Sequence, residues 1–244
     1  MSILQGRSSD RELCVDRTPI PVAQQILMGV DNFGVAEDPR ILDVGCGEGA
    51  WGIAARRIWP DAHITGIDVR DEARKHAAKV YDEFVGTRFQ DYEPGGFDLI
   101  VGNPPFSTRD NGRPINLFPA LIKFAMKHCN QVSGVVCYYG LNDLGQRSIA
   151  PRGSFKQYPP SVQMRVSGTI SHRGPKTPAI RGSGAADIRC YSGWLWSMED
   201  INDHSASRGW FTCNLPLLSA ADRRWETPPG VQVEEEIQEY LSYE

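Results

Sequence analysis

Short apolar runs alternate with amphipathic stretches over the first 140 residues of the chain. Runs rich in β-branched residues predict strands at 40–44, 63–68, 87–91, 97–102 and 134–139. Apolar residues at helical spacing predict helices at 20–30, 49–59, 71–84 and 116–129. Such alternation is typical of an α/β domain built around a mostly parallel sheet.

The pattern is looser after residue 140. The apolar run from Ile188 to Trp196 predicts one long strand, and residues 164–170 are predicted to pair with it as an antiparallel hairpin. Glycine- and serine-rich stretches between these strands predict loops. A terminal helix with an acidic face is predicted over residues 231–241.

A glycine-rich turn separates the first strand from the helix that follows it. Gly45, Gly47 and Gly49 alternate with other residues in this turn, and glycine permits positive φ and a close approach of backbone to a ligand. The spacing is GxGxG rather than the GxGxxG of dinucleotide sites. Such a turn can also serve only to reverse the chain, but strand, turn and helix together are typical of the first unit of an open α/β sheet.

Acidic residues end two later strands. Asp68 lies roughly 20 residues beyond the glycine turn, where an acid can bind both hydroxyls of a ribose. The alternative is that it caps the helix predicted from residue 71. Asp91, followed by Tyr92, could accept from the amino group of an adenine, although an aspartate in a turn needs no ligand to explain it.

The segment Asn103-Pro104-Pro105-Phe106 follows the strand at 97–102. Two consecutive prolines stiffen the loop and remove two backbone donors. The Asn103 side-chain oxygen and the Pro104 carbonyl could then accept both hydrogens of an amino group, and Phe106 could stack on the ring that carries it. A plain proline-rich turn is the alternative.

These motifs together resemble those of the class I S-adenosylmethionine-dependent methyltransferases, and within that group the enzymes that methylate adenine amino groups in nucleic acids. LDVGCGEG resembles the cofactor loop, GID the ribose-binding acid, QDY the adenine-binding position and NPPF the catalytic loop. Residues 16–23 resemble the TPxxVA segment that covers the methionine end of the cofactor in many DNA adenine methyltransferases. The motif order resembles the γ arrangement, and the resemblance covers about residues 10 to 140.

The resemblance implies a Rossmann-like seven-stranded sheet, mostly parallel with an antiparallel C-terminal hairpin, and helices on both faces. It implies S-adenosylmethionine as the cofactor and S-adenosylhomocysteine as its product. The implied catalytic residues are Asn103, Pro104, Pro105 and Phe106. The implied cofactor-binding residues are Thr18, Pro19, Asp43, Gly45, Gly47, Gly49, Asp68, Val69, Asp91, Tyr92 and Asn103.

The predicted activity is DNA adenine-N6 methylation, site-specific or of low specificity, by direct methyl transfer to a flipped-out base. The TPxxVA segment favours DNA. The alternative is methylation of adenine-N6 or guanine-N2 in ribosomal or transfer RNA. Cytosine-N4 and protein-glutamine methylation stay open because the loop fits any planar NH₂ group, and a cofactor-binding module without catalysis is the non-enzymatic alternative. The small size suits a phage modification protein.

Charge is distributed unevenly. The net charge of −4 argues against a protein that coats nucleic acid indiscriminately, but residues 140–190 hold eight basic and two acidic residues. Phosphate contacts are predicted for this loop-rich segment, and a solvated surface loop is the alternative. The candidate contacts are Arg147, Arg152, Lys156, Arg173, Lys176 and Arg181.

Length and composition suit one α/β domain with a modest extension. We expect a methyltransferase domain over residues 1–200 with a basic insertion at about 140–186, and a C-terminal extension over 201–244. The six cysteines show no CxxC pair and the five histidines no ligand spacing, so we expect reduced thiols, no metal and a cytoplasmic location. Expected partners are DNA or RNA and no membrane, in a monomer or homodimer, with a separate specificity partner possible.

Overall fold

The computed structural model describes residues 18, 20–31, 34–93, 95–103, 108–110, 113–115, 117–139, 160–169, 188–196 and 211–216. Their α-helices are α1 (Ile20–Asp31), α2 (Ala50–Ile58), α3 (Asp71–Ala77) and α4 (Phe118–His128). Their strands are β1 (Arg40–Val44), β2 (His63–Ile67), β3 (Glu83–Val85), β4 (Phe97–Gly102), β5 (Thr108–Asp110), β6 (Arg113–Ile115), β7 (Cys129–Tyr139), β8 (Val162–Thr169), β9 (Ile188–Trp196) and β10 (Phe211–Pro216).

One sheet holds eight of these strands in the order β10-β8-β9-β7-β4-β1-β2-β3. Strands from β7 to β3 pair parallel, β9 pairs antiparallel with β7 and β8, and β10 pairs parallel with β8. The predicted α/β sheet with an antiparallel hairpin is therefore confirmed. The predicted number of seven strands is not, because β10 adds an eighth from the segment expected to be a C-terminal extension. Strands β5 and β6 form a separate antiparallel pair.

Apolar side chains cover both faces of the parallel strands, as a doubly covered sheet requires. On one face, Ile41 and Leu99 join a buried cluster with residues of α1 and α2. On the other, Leu42 and Ile100 join a cluster with residues of α4. Successive strand residues thus point to opposite helical layers, and the sheet is held rigid between them.

Helix α3 ends at Ala77, so the prediction of a helix through residue 84 is wrong. The backbone N–H groups of Val80 and Tyr81 both donate to the Ala77 carbonyl at 2.9 Å, and this turn closes the helix. The apolar spacing continues through Val80 and Tyr81 because both residues face the core from the turn. The Tyr81 ring lies so close to Gly52 and Gly66 that a Cβ at either position would approach it within 2.5 and 3.0 Å.

The strand predicted at 87–91 is also misplaced. The edge strand is β3, and residues 89–91 form a single 3₁₀ turn. Asp82 explains the shift, because its carboxylate accepts from the Ile64 N–H at 2.7 Å and from the Arg56 guanidinium at 2.8 Å. These bonds hold the segment against β2 before the predicted position. The terminal helix predicted at 231–241 lies outside the described residues.

Candidate active site

The carboxyl ends of four parallel strands lie side by side at one edge of the sheet. Val44, the last residue of β1, is in register with Ile67 of β2 and with Gly102 of β4, and Ile67 is in register with Val85 of β3. The chain runs from β1 outward to β3 and then returns to place β4 on the other side of β1. This reversal opens a crevice at the carboxyl ends, where ligands bind in open α/β sheets.

The glycine turn is folded tightly over the end of β2. The N–H groups of Gly45 and Cys46 both donate to the Ile67 carbonyl, at 2.8 and 2.9 Å. Gly47 and Gly49 have φ values of 52° and 94°, in the left-handed region that side chains disfavour. A Cβ at Gly49 would also lie 3.3 Å from Val80. Helix α2 begins directly after Gly49 without a side-chain cap, so its N-terminal amides face the same edge.

Asp68 connects the loop after β2 to the glycine turn. Its side chain is buried, and its carboxylate accepts from the Gly47 N–H at 2.9 Å and from the Arg70 N–H at 2.9 Å. The Arg70 guanidinium donates to the same carboxylate from Nε and from Nη2, each at 3.1 Å. Helix α3 begins at Asp71, so Asp68 stands too early to be its N-cap. The acid therefore lies at the crevice, as its predicted ligand role requires.

Asp43 lies beneath the glycine turn and has no solvent exposure. The Tyr81 hydroxyl donates to its Oδ2 at 2.5 Å, while Oδ1 has no hydrogen-bond partner among the described residues. Burial raises the pKa of Asp43 to about 7 despite the Tyr81 hydrogen bond, and the charge of Asp68 adds to the rise. Asp43 was predicted to bind the cofactor; the structure shows it fully buried and bonded to Tyr81, and its cofactor role stays a prediction.

Thr18 and Asn103 bring the N-terminal motif to the loop after β4. The Asn103 Nδ2 donates to the Thr18 Oγ1 at 3.1 Å, and the Thr18 side chain is buried just before α1. Asn103 directly follows Gly102 and thus stands beside the glycine turn at the sheet edge. The other predicted residues of these two motifs, Pro19, Pro104, Pro105 and Phe106, lie outside the described residues.

Three further predicted cofactor-binding residues lie on the loops after β2 and β3. Val69 is 58% exposed directly after Asp68, an apolar surface at the crevice. Asp91 ends the 3₁₀ turn with its side chain 64% exposed, and Arg88 lies 3.8 Å from its carboxylate. Tyr92 is half-buried against the cluster that contains α4. These side chains are thus available to a ligand, although Asp91 makes no described contact with the glycine turn.

The basic residues predicted to contact nucleic acid, Arg147, Arg152, Lys156, Arg173, Lys176 and Arg181, all lie outside the described residues. Within the part of the chain that is described, no group of three or more potential ligands could hold a metal ion. The described thiols of Cys46 and Cys129 are buried and reduced, in agreement with the expected core thiols. No described helix is both long and apolar enough to cross a membrane.

Residues 22–135 match the family model described as the methyltransferase small domain. This segment is therefore similar to class I methyltransferase domains, and we call it the methyltransferase domain. Its match begins in α1 and ends in β7, and so includes the glycine turn, Asp68 and Asn103. S-adenosylmethionine is accordingly its cofactor, and the described residues fit that group: Asp68 places a carboxylate at the crevice, Val69 an apolar surface, and the glycine turn a close backbone.

The fold of the methyltransferase domain is also found in a solved structure from Pyrococcus horikoshii, a protein proposed to be an RNA methyltransferase. The two chains share 17% identity with a TM-score of 0.56, and the alignment covers 78% of this chain and 91% of the other. At this identity the likeness concerns the fold alone.

Curated relatives match the methyltransferase domain over shorter stretches. The ribosomal RNA large subunit methyltransferase G of Streptomyces griseus is 36% identical over 77 residues, which cover 28% of this chain and 20% of the relative. The ribosomal RNA small subunit methyltransferase C of Haemophilus influenzae is 38% identical over 74 residues, 28% of this chain and 22% of the relative. The release factor glutamine methyltransferase of Deinococcus radiodurans is 34% identical over 95 residues, 36% of this chain and 34% of the relative. The matches thus span between a fifth and a third of these proteins.

Sequence reasoning missed two residues of the site. Arg70 stands two positions after Asp68, and this short spacing is a signal for a local ion pair. Tyr81 gave no such signal, because its bond to Asp43 joins residues 38 positions apart. Both side chains act on the two acids of the methyltransferase domain, one at the surface of the crevice and one beneath it.

Proposed function

We propose that this chain is an S-adenosylmethionine-dependent N-methyltransferase that acts on the exocyclic amino group of a base in RNA. Two of the relatives described above are named as ribosomal RNA methyltransferases, and this supports RNA over the DNA adenine-N6 activity that the motifs predicted. The site chemistry is the same for either nucleic acid. The choice of RNA as the substrate therefore depends on the relatives. The choice of an amino group as the methyl acceptor depends on Asn103 and its neighbours.

The hydrogen bond between Asn103 and Thr18 is the observation that supports an amino group as the methyl acceptor. Because the amide nitrogen donates to Thr18, the amide oxygen is the end that remains for a substrate. An oxygen held in this way can accept from an NH₂ group, which is a pure donor when its lone pair is delocalised into a ring. We propose the Pro104 carbonyl as the second acceptor.

When bound, the cofactor supplies a methyl group on a positively charged sulfur. Two acceptors on the NH₂ hydrogens favour a pyramidal nitrogen and direct its lone pair at that methyl. Transfer would form the new N–C bond as the C–S bond breaks, with the electron pair of that bond going to sulfur and one N–H proton to solvent. Asn103 acts here by position and electrostatics, so no strong base is needed.

The test incubates purified full-length protein and labelled S-adenosylmethionine separately with total RNA, DNA and protein, followed by mass spectrometry of the products. We expect a base methylated on its amino group in RNA, lost in Asn103→Ala and retained in Lys123→Ala, an exposed position on α4. N6-methyladenine confined to DNA would overturn RNA in favour of the activity that the motifs predicted. Absence of any transfer would overturn the enzymatic proposal.

Protein glutamine methylation is the second candidate. It is supported by the match to the release factor glutamine methyltransferase of Deinococcus radiodurans, 34% identical over 95 residues. A glutamine side chain ends in a planar NH₂ group that the same acceptors fit. N-methylglutamine in the protein arm of the test, with unmodified RNA, would decide for this candidate.

A further inference from the structure

Arg70 occupies the carboxylate that the proposed cofactor site needs for ribose. Its guanidinium reaches Asp68 in a forked arrangement, from Nε to Oδ1 and from Nη2 to Oδ2, each at 3.1 Å. The Arg70 side chain is 23% exposed and that of Asp68 is 6% exposed, so the pair is partly withdrawn from water. Forked pairs of this kind are stronger and more directional than those of lysine.

All the acceptor positions of the Asp68 carboxylate are occupied in this arrangement. A carboxylate offers about four acceptor positions, and Asp68 receives four donors: the N–H groups of Gly47 and Arg70 and two guanidinium N–H groups. Two ribose hydroxyls can bind only if donors leave. The backbone N–H groups are fixed by the turn and by the chain, whereas the guanidinium is at the end of a flexible side chain.

The guanidinium also lies against the glycine turn. A Cβ at Gly47 would stand 3.1 Å from the Arg70 Nη2, which makes Arg70 the nearest group on the open side of that residue. The same Gly47 donates its N–H to Asp68. The saturated carboxylate and the covered turn thus put the guanidinium on the Asp68 oxygens that ribose hydroxyls would need, beside the glycine turn.

We propose that the ribose hydroxyls of the cofactor exchange with the Arg70 guanidinium on Asp68, so that Arg70 sets the affinity and the ribose selectivity of this site. The inference rests on the proposed use of the glycine turn and Asp68 as the cofactor site. A ligand with both hydroxyls recovers the bonds that it displaces. A ligand without them leaves Arg70 in place and gains nothing from Asp68.

Glu48 gives the released guanidinium a second anionic neighbour. It lies in the glycine turn, and its charge, like that of Asp68, raises the pKa of Arg70. The guanidinium stays charged through the exchange because arginine is not deprotonated in proteins, and the exposed Glu48 adds a negative charge in the same turn. Arg70 is a positioning residue in this account, since it acts on the ligand through Asp68.

The test is calorimetric titration of the full chain with S-adenosylhomocysteine, adenosine and 2′,3′-dideoxyadenosine. Arg70→Met removes the competing donors, so the first two ligands should bind about two- to fivefold more tightly, the range for a partly exposed ion pair. Dideoxyadenosine should bind equally well to both proteins. Binding of S-adenosylhomocysteine to the wild type should also strengthen with added salt, which screens the pair, whereas binding to Arg70→Met should not.

Arg74→Met is the matched control, because Arg74 lies four positions further on, packs over the Phe84 ring, and should leave all three affinities unchanged. Arg70→Lys keeps the charge without the fork, and a smaller tightening is expected; it replaces Arg70→Met if that variant does not fold. Weaker binding of S-adenosylhomocysteine to both Arg70 variants, or equal changes for adenosine and dideoxyadenosine, would overturn the exchange. Failure of the wild type to bind S-adenosylhomocysteine would instead overturn the cofactor site itself, and the exchange with it.

Discussion

Thr18 and Asn103 stand 85 positions apart in the chain and are joined by a 3.1 Å hydrogen bond at the carboxyl edge of the sheet. The threonine precedes the first helix and the asparagine follows β4, so the contact ties the N-terminal motif to the candidate catalytic loop. In this bond the amide nitrogen of Asn103 is the donor and the Thr18 hydroxyl is the acceptor. The amide oxygen is thereby kept for a substrate.

Thr18→Val should therefore slow methyl transfer while leaving cofactor binding nearly unchanged. The valine has the same shape but cannot accept from Asn103, and the loss of one hydrogen bond costs about 1 kcal/mol, or roughly fivefold in kcat. Thr18→Ser keeps the hydroxyl and is the control. Steady-state kinetics at saturating cofactor measure the effect, and equal rates for the two variants would show that the contact does not orient the amide.

Asp68→Ala should weaken binding of S-adenosylmethionine by on the order of 2 kcal/mol, as expected when a charged hydrogen-bonding partner is lost. The variant also leaves the Gly47 N–H without its acceptor, so some of the loss comes from a looser turn. Asp38→Ala changes an exposed acid away from the crevice and is the control. Calorimetry that finds the same affinity in Asp68→Ala and in the wild type would remove the ribose role.

The buried Asp43 should make stability depend on pH. Its folded-state pKa of about 7 exceeds the value of 3.8 for the free group, so between these values the folded state binds more protons than the unfolded state. The free energy of unfolding should then fall as pH rises from about 4 to 7, by up to about 4 kcal/mol from this group. Asp43→Asn should lose this component. Urea unfolding at several pH values measures it, and parallel curves for the two proteins would contradict the assignment.

Gly52→Ala should destabilise the protein by about 1 to 3 kcal/mol, the usual cost of overpacking a core. The new Cβ would stand 2.5 Å from the Tyr81 ring, and the displaced ring would lose its hydrogen bond to Asp43. Ile53→Ala, a partly buried position on the same helix, separates this effect from a general weakening of α2. Thermal unfolding and tyrosine fluorescence report the two consequences, and an unshifted Tyr81 signal would contradict the packing described.

The sequence predicted the parts of the fold that depend on local pattern. Strands β1, β2 and β4 are short apolar runs, and parallel strands bring their carboxyl ends, with Gly45, Asp68 and Asn103, to one edge. Local pattern failed where tertiary contacts decide. Val80 and Tyr81 continue the helical spacing of α3, but the bonds of Tyr81 to Asp43 and of Asp82 to Ile64 form only in the folded chain.

The candidate site, like the fold, was predicted from the sequence only in part. Positions on the strand ends could be predicted because the motif fixes both residue type and place. The depth of a side chain could not, so Asp43 was assigned to the cofactor surface although it is fully buried. The short spacing of Asp68 and Arg70 is a signal for an ion pair, but its forked geometry emerges only from the distances.

The central claim is that Asn103 holds the NH₂ group of the substrate beside the cofactor. Its most direct measurement compares Asn103→Ala with wild type for two quantities: calorimetric affinity for S-adenosylhomocysteine, and single-turnover methyl transfer to RNA with saturating cofactor. We predict that affinity changes by no more than about threefold while transfer falls by about 100-fold or more, as for the loss of a positioned hydrogen-bond group in a transition state. Transfer at the wild-type rate by a folded, cofactor-binding Asn103→Ala would contradict the claim.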